Sequence, residues 1–314
     1  MTYEDLLLEE VSKWDINKST LTYTHPLIFI CGGSLDKKID KVDDRYFFES
    51  LRKYLIEYAP INNSNFNLRT AEDLKDYLTV YDDLLEFESD IAKISDLILI
   101  ILESPGTLTE LGIFLSNDEY QKKLVVIRNK AHTFEDSFIN LGPLLALKNL
   151  KDTSVLDYDW PYCKKFKELD NQTLNFICGD INDHLKSPTT NTKINPNDFS
   201  HIILCIYEIV RLFFPISEYE ILNIIQLLFN DKNITRSRIK KICYLLYKLD
   251  FLDKESVSSK TFYYPSDHKI TKVKFNYIAK ERFEFLKIRL AIKEFLDTLV
   301  DTKRLHVLNV IQGQ

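Results

Sequence analysis

No stretch of this sequence is long and apolar enough to cross a bilayer. The longest unbroken aliphatic run, Leu97–Leu102, falls far short of the ~20 residues a spanning helix needs. No basic segment followed by an apolar one opens the chain; Thr2–Trp14 reads as an acidic amphipathic helix. A soluble, cytoplasmic protein with no membrane partner is therefore expected. Cysteine is sparse: Cys31, Cys163, Cys178, Cys205 and Cys243 show no CxxC spacing, which predicts reduced, buried thiols and no zinc site. The six histidines form neither HxxxH nor HExxH, so metal catalysis finds no support. Neither GxGxxG nor GxxxxGK[ST] occurs, which argues against an ordinary dinucleotide redox site and against ATPase or GTPase chemistry. Glycine is scarce, seven in 314 residues where about 7% is usual. Each one retained is a candidate for a backbone need.

What is present divides the chain. Residues 1–190 carry 21 basic and 33 acidic side chains, residues 191–314 carry 20 and 14. An acidic front and a basic back are expected when only the second part meets a polyanion. HPLIFICGG is a short apolar strand feeding a glycine turn, NFNLRT a second strand, LILIIL a central one, KLVVIRN a fourth and SVLDYDW an edge. Between them the helical period predicts helices over 45–58, 71–94 and from Gly106 onward, with 161–185 closing the unit. Alternation of this kind predicts a doubly wound, Rossmann-like parallel sheet. The polar stretch 187–198, with two prolines, reads as a linker, so the domains are expected at 1–190 and 191–314. Helices over 199–214, 217–229 and 235–249, then the hairpin-like FLDKESVSSKTFYYP, follow the plan of a winged helix. A last long helix is expected over 276–300.

Ligands of open parallel sheets bind beyond the carboxyl ends of the strands. In the first such loop, CGGS, the amides of Gly32, Gly33 and Ser34 are suited to a phosphate or ribose oxygen. In the second, ESPGTLTE, Ser104, Gly106 and Thr107 stand where a strand becomes a helix, whose positive dipole end faces the site. Glu110 lies one turn in. Two readings stay open there: Thr107 and Glu110 as a capping box that only stabilises the helix, or Glu110 as a carboxylate attacking or stabilising an oxocarbenium-like sugar carbon. Gly112, inside the helix, costs about 1 kcal/mol relative to Ala and so favours a packing or ligand requirement. Asp90, at the end of its helix, is a candidate to face the cleft and bond a nucleobase or leaving group. Asp96 reads as a turn or cap residue.

The run DIAKISDLILIILESPGTLTELGIF, with FICGGS upstream, resembles the nucleoside 2-deoxyribosyltransferase superfamily over about residues 25–130. The resemblance implies that Glu110, in the ELG element, is the nucleophile on the anomeric carbon and that Asp90 contacts the base. It departs where the family often has an acidic residue six before the glutamate, because Ser104 stands there beside Glu103. Asn129, ending the fourth strand, would join this or a neighbouring subunit's pocket, as in the family's oligomers. The whole plan, with a basic winged helix behind, is similar to the effectors of type II retrons. These are antiviral defence systems in which a reverse transcriptase and its RNA-linked msDNA restrain a toxic partner. That resemblance implies an N-glycosidase that hydrolyses the nicotinamide–ribose bond of NAD, NAD being substrate and no cofactor needed, in a homo-oligomer or larger assembly with the reverse transcriptase. Two alternatives are a nucleotide-sensing DNA-binding regulator without turnover and a true deoxyribosyltransferase.

In the back half, helix 235–249 buries Ile239, Ile242, Leu246 and Leu249 and leaves Arg236, Arg238, Lys240, Lys241 and Lys248 on other faces. With Lys254, Lys260 and Tyr263 in the expected wing, these cations are candidates for DNA phosphate contact without base readout. A solvated charged face is the alternative reading.

Overall fold

The computed structural model describes residues 2–22, 26–35, 40–42, 45–47, 50–58, 67–74, 76–133, 136–160, 171–185, 192–266, 271–279, 282–298 and 301–313. In chain order the elements used below are α1 (Tyr3–Val11), β1 (Thr20–Leu21), β2 (Leu27–Cys31), α2 (Leu51–Tyr58), β3 (Asn67–Arg69), α3 (Leu84–Ile94), β4 (Leu97–Ile101), α4 (Pro105–Leu115), β5 (Leu124–Asn129), β6 (Val155–Tyr158), α5 (Asn171–Leu185), α6 (Phe199–Phe213), β7 (Ile216–Ser217), α7 (Glu218–Phe229), α8 (Arg236–Lys248), β8 (Leu252–Val257), β9 (Lys260–Pro265), α9 (Phe285–Thr298) and α10 (Thr302–Gly313).

The chain is a mixed α/β protein that folds as two units. One holds residues 25–75 and 91–188, the other residues 1–24, 76–90 and 189–314. The units are discontinuous in sequence, so that residues 1–24 and 76–90 belong with residues 189–314. This division also changes the electrostatics. The sheet unit carries 19 basic and 22 acidic side chains and the other unit 22 and 25, so the charge asymmetry of the linear halves vanishes.

The first unit is built on a five-stranded parallel sheet in the order β3-β2-β4-β5-β6. Strands β2, β4 and β5 are buried at every position, which is why they read as unbroken apolar runs without alternation. Asp96 fixes the register of the central pair: its carboxylate accepts from Leu27 N at 2.7 Å, and its own amide donates to Leu27 O. The core on one face joins Ile28, Ile30, Leu99 and Ile127 to Leu51 and Leu55 of α2 and to Leu174 and Ile177 of α5.

The second unit centres on α6, whose residues from His201 to Phe213 are all buried except Leu204. Strand β7 precedes α7 and pairs antiparallel with β9, and β9 pairs with β8 across a two-residue turn at Ser258–Ser259. Trp14 stacks on Phe213 and Phe275 at 5.7 and 4.3 Å. Short β1 pairs with Thr192–Lys193 and Val273–Lys274, so part of the expected linker is strand; residues 187–191 lie outside the described residues.

Several expected helices are shorter. The helix over 45–58 starts only at Leu51, because Arg45–Phe47 pairs as a strand with Asp40–Val42. Ala71–Leu74 and Tyr77–Thr79 form two short 3-10 turns before α3 begins at Leu84. The closing helix, by contrast, agrees with the expected one over Asn171–Leu185, and residues 161–170 lie outside the described residues. The last expected helix, over 276–300, is found as α9, which begins only at Phe285, and α10 follows beyond the expected range. The misreadings share a cause: apolar residues at helical spacing also fit short strands and turns that meet a distant partner.

Candidate functional site

From β2 the chain passes to β3 on one side and returns to β4 on the other. The loops after β2 and β4 therefore leave the carboxyl edge of the sheet in opposite directions, which opens a crevice between them. Glu103, two residues past β4, organises this mouth. Its carboxylate accepts from Gly33 N at 2.8 Å, Ser50 Oγ at 2.7 Å, Leu51 N at 2.8 Å and Arg52 N at 3.1 Å. One side chain thus ties the glycine turn to the first turn of α2, where a negative charge also suits the helix dipole. Arg52 is buried; its Nε donates to Gly33 O at 2.8 Å and its Nη1 to Glu72 at 3.0 Å. The glycine at position 32 is required by this closeness, because a Cβ there would lie 2.5 Å from the Cβ of Arg52.

Helix α4 starts with Ser104 as N-cap and Pro105 in the first turn, and the capping box is Ser104 with Thr107. The box closes without Glu110, so capping is not the role of its carboxylate in this helix. Glu110 is half-buried, and its Oε2 is buried with no hydrogen-bond partner among the described residues. The carboxyl sits above its ordinary pKa, chiefly through burial, while the Arg52 guanidinium and a bond from the Cys31 thiol draw it back down and Glu72 pushes it further up. A carboxylate at a sheet mouth with an unused oxygen is chemically available to an electrophile. Sequence reading missed Arg52, Glu72 and Ser50, and left Glu103 as a neighbour of Ser104. Their partners lie 20 to 70 residues away, and no local spacing signals them.

The other expected site residues are placed as follows. Gly33 is buried and bonded at both its amide and its carbonyl, whereas Ser34 and Gly106 are exposed. The Thr107 hydroxyl is spent on Ser104 O at 2.6 Å. Asn129 is buried, donates to Trp160 O at 2.6 Å and accepts from Ala131 N at 3.0 Å, so it caps the turn after β5. A Cβ on Gly112 would meet nothing within 4 Å, so packing is not what keeps that glycine. Among the described residues no group of three or more His, Cys, Asp or Glu is placed to hold a metal ion, and no helix is long and apolar enough to cross a membrane.

The family model described as STM3845 retron effector protein matches residues 49–254, two thirds of the chain. The chain belongs to the retron effector family. Two curated Escherichia coli relatives are named as proposed ribosyltransferase/DNA-binding proteins, of retron Ec73 and of retron Ec86. The first is 32% identical over 38% of this chain and the second 33% identical over 41%. The aligned stretches span 37% and 39% of those relatives' own lengths.

In this retron effector Asp90 is not an available acid or base. Buried completely, it accepts from Arg238 Nη1 and Nη2, both at 2.6 Å, and lies 3.1 Å from the Tyr81 hydroxyl. Arg238 gives two of its donors to Asp90, a pairing that the sequence reading expected of neither residue. The segment around Asp90 repeats the pattern. Lys241 Nζ meets Asp82 at 2.8 Å and Glu86 at 2.7 Å, which raises its pKa, and Lys248 meets Asp76 at 2.6 Å. Residues 76–90 hold six carboxylates and no cation, and four of those carboxylates cover one face of α8. Arg236, Lys240 and Lys260 stand elsewhere: Arg236 and Lys240 are exposed, and Lys260 is 40% exposed with a long 3.7 Å contact to Glu220.

Proposed function

We propose that this retron effector is a toxic N-glycosidase of antiviral defence, with Glu110 acting on the anomeric carbon of a nucleotide. The observation that carries the reading is the buried, unpartnered Glu110 oxygen at the switch point of the sheet. The relatives' ribosyltransferase names support it, because that chemistry also breaks and remakes bonds at a ribose carbon. The first unit is then a doubly wound, deoxyribosyltransferase-like domain. The second, with the order helix, strand, helix, helix, strand, strand, is a winged helix that binds DNA.

In the proposed reaction the Glu110 carboxylate attacks C1′, the glycosidic C–N bond breaks, and its electron pair leaves with the base. Water then hydrolyses the glycosyl ester and returns the carboxylate. Arg52 lowers the cost of ionising Glu110, and Glu103 holds the Gly32–Gly33 turn so that backbone amides of the mouth meet the ribose and phosphates. NAD is the favoured substrate on chemical grounds. Its pyridinium nitrogen leaves as neutral nicotinamide without taking a proton, whereas a purine needs an acid, and Asp90 is committed to Arg238. NAD enters as substrate; no cofactor takes part. The reverse transcriptase and msDNA of the retron are the proposed restraining partners, in a cytoplasmic assembly that includes further copies of this chain.

Chromatography of nucleotides from cells expressing the chain or Glu110→Gln, with and without the neighbouring genes, tests this. NAD loss with nicotinamide release that requires Glu110 supports the glycosidase. Unchanged NAD and nucleosides under a confirmed activating condition overturn it in favour of a sensor, and a new nucleoside formed from an added free base identifies a transferase.

A further inference from the structure

Helix α8 has a second cationic face that the acidic segment does not cover. Residues along a helix turn about 100° each, so Arg236 and Lys240, four apart, share a side from which Arg238, Lys241 and Lys248 point away. That side opens on a cleft of about 750 Å³ within the second unit. Four cations line it: Arg236 and Lys240 from α8, Lys260 from the β8–β9 hairpin and Lys303 from α10. Among the described residues neither Lys240 nor Lys303 has an anionic partner at ion-pair distance, and both are exposed.

The remaining lining suits one ligand class. Ser237, Ser259 and Thr261 supply hydroxyls, and Ser258, at φ 60°, makes the tight turn that presents Ser259 and Lys260. The single carboxylate in the lining, Glu218, is already engaged, accepting from Tyr263 Oη at 3.0 Å and Arg236 Nε at 3.4 Å. Thr235 caps α8 with its side chain, so the helix start adds the positive end of its dipole to the same side. Four cations and several hydroxyl donors against one occupied carboxylate is a composition for phosphodiesters. Neither Asn nor Gln lines the cleft, so adenine readout of the bidentate kind has no donor–acceptor pair here.

We propose that this cleft, and not the whole basic surface of α8, grips the phosphodiester backbone of DNA, independently of sequence. The inference rests on the reading of the second unit as DNA-binding and assigns that activity to one face. The cations that the acidic segment covers, Arg238, Lys241 and Lys248, take no part in it.

The test is fluorescence anisotropy of two labelled DNA duplexes of unrelated sequence, titrated with the full chain at salt concentrations from 50 to 200 mM, ~a fourfold range over which phosphate contacts dominate the change in affinity. The triple variant Lys240→Ala/Lys260→Ala/Lys303→Ala is expected to weaken binding to both duplexes by roughly 10- to 100-fold. The salt slope should fall by about 0.9 per lysine removed. Glu218→Gln keeps an acceptor for Tyr263 and is expected to tighten binding a few-fold. Lys241→Ala, on the covered face, is expected to change affinity less than about twofold. If the unaltered chain binds and the triple variant binds equally well, or if Lys241→Ala costs more than the triple variant, the cleft assignment is wrong while the DNA-binding reading stands. If the unaltered chain binds neither duplex at 50 mM salt, both fall together.

Discussion

Asp90 and Glu110 are both carboxylates withdrawn from water, and the sequence pairs them as partners in one reaction. The structure gives them opposite circumstances. Asp90 has both oxygens filled by the Arg238 fork and a tyrosine hydroxyl beside it, whereas Glu110 keeps one buried oxygen with no donor. The contrast separates two uses of a buried charge. A carboxylate whose hydrogen-bonding capacity is exhausted holds a fold together, and one left partly unsatisfied is a reservoir for chemistry.

The sharpest way to break this comparison is to remove each charge. Glu110→Gln should lower nicotinamide release by at least about 10³-fold, the order found when a nucleophile or transition-state stabiliser is lost. Its thermal unfolding should be unchanged or slightly raised. Retained turnover in this variant would sink the assignment. Asp90→Ala should instead act on stability, because half-buried Arg238 loses its bidentate partner and keeps only Glu86 at 3.4 Å. A loss of about 3–5 kcal/mol is expected in urea denaturation, and Asp90→Leu/Arg238→Met should recover part of it. A variant of Asp90 that folds normally yet loses all turnover would return Asp90 to catalysis.

The pH response sharpens the same contrast. Because burial raises the folded-state pKa of Glu110, its contribution to stability is fully present below the ordinary carboxylate range and is lost as pH rises through the raised value. Wild type and Glu110→Gln should therefore have similar melting temperatures in acid, with the variant gaining on wild type as pH rises. Turnover, which needs the ionised form, should increase over that interval. The smallest effect belongs to Asp76, whose pKa is lowered chiefly by Lys248 and also by the Tyr244 hydroxyl. Its stabilisation is present above the unfolded pKa and fades as pH falls through the lowered one. Because Asp76 is exposed, the pair should contribute well under about 1 kcal/mol, and Asp76→Asn should shift the urea midpoint only slightly.

Local chemistry explains what sequence reading recovered. The strands LIFIC, LILII and LVVIR are legible because burial on both faces demands continuous apolar residues, and α8 because its apolar positions recur at helical spacing. The place of Glu110 in α4, just beyond β4, is legible because a strand, a turn and a helix start follow one another within a few residues. Glu103 is the counterexample: it stands in the same loop, yet its role depends on Gly33 and Arg52, brought to it by strand pairing and by the packing of α2. The acidic run 76–90 is plainly visible in the sequence, but its meeting with a helix some 150 residues later is not, and the linear charge imbalance misleads for that reason.

The sequence by itself determined the buried strands, the cores of the longer helices, which loops end at the sheet's carboxyl edge, and that α8 carries a surplus of cations. Only the tertiary structure decided which carboxylate keeps an unused oxygen and which cations are neutralised. Secondary structure follows from propensity and periodicity over neighbouring residues, whereas the state of a charge depends on the donors and counter-charges within a few ångströms, and the fold draws those from anywhere in the chain.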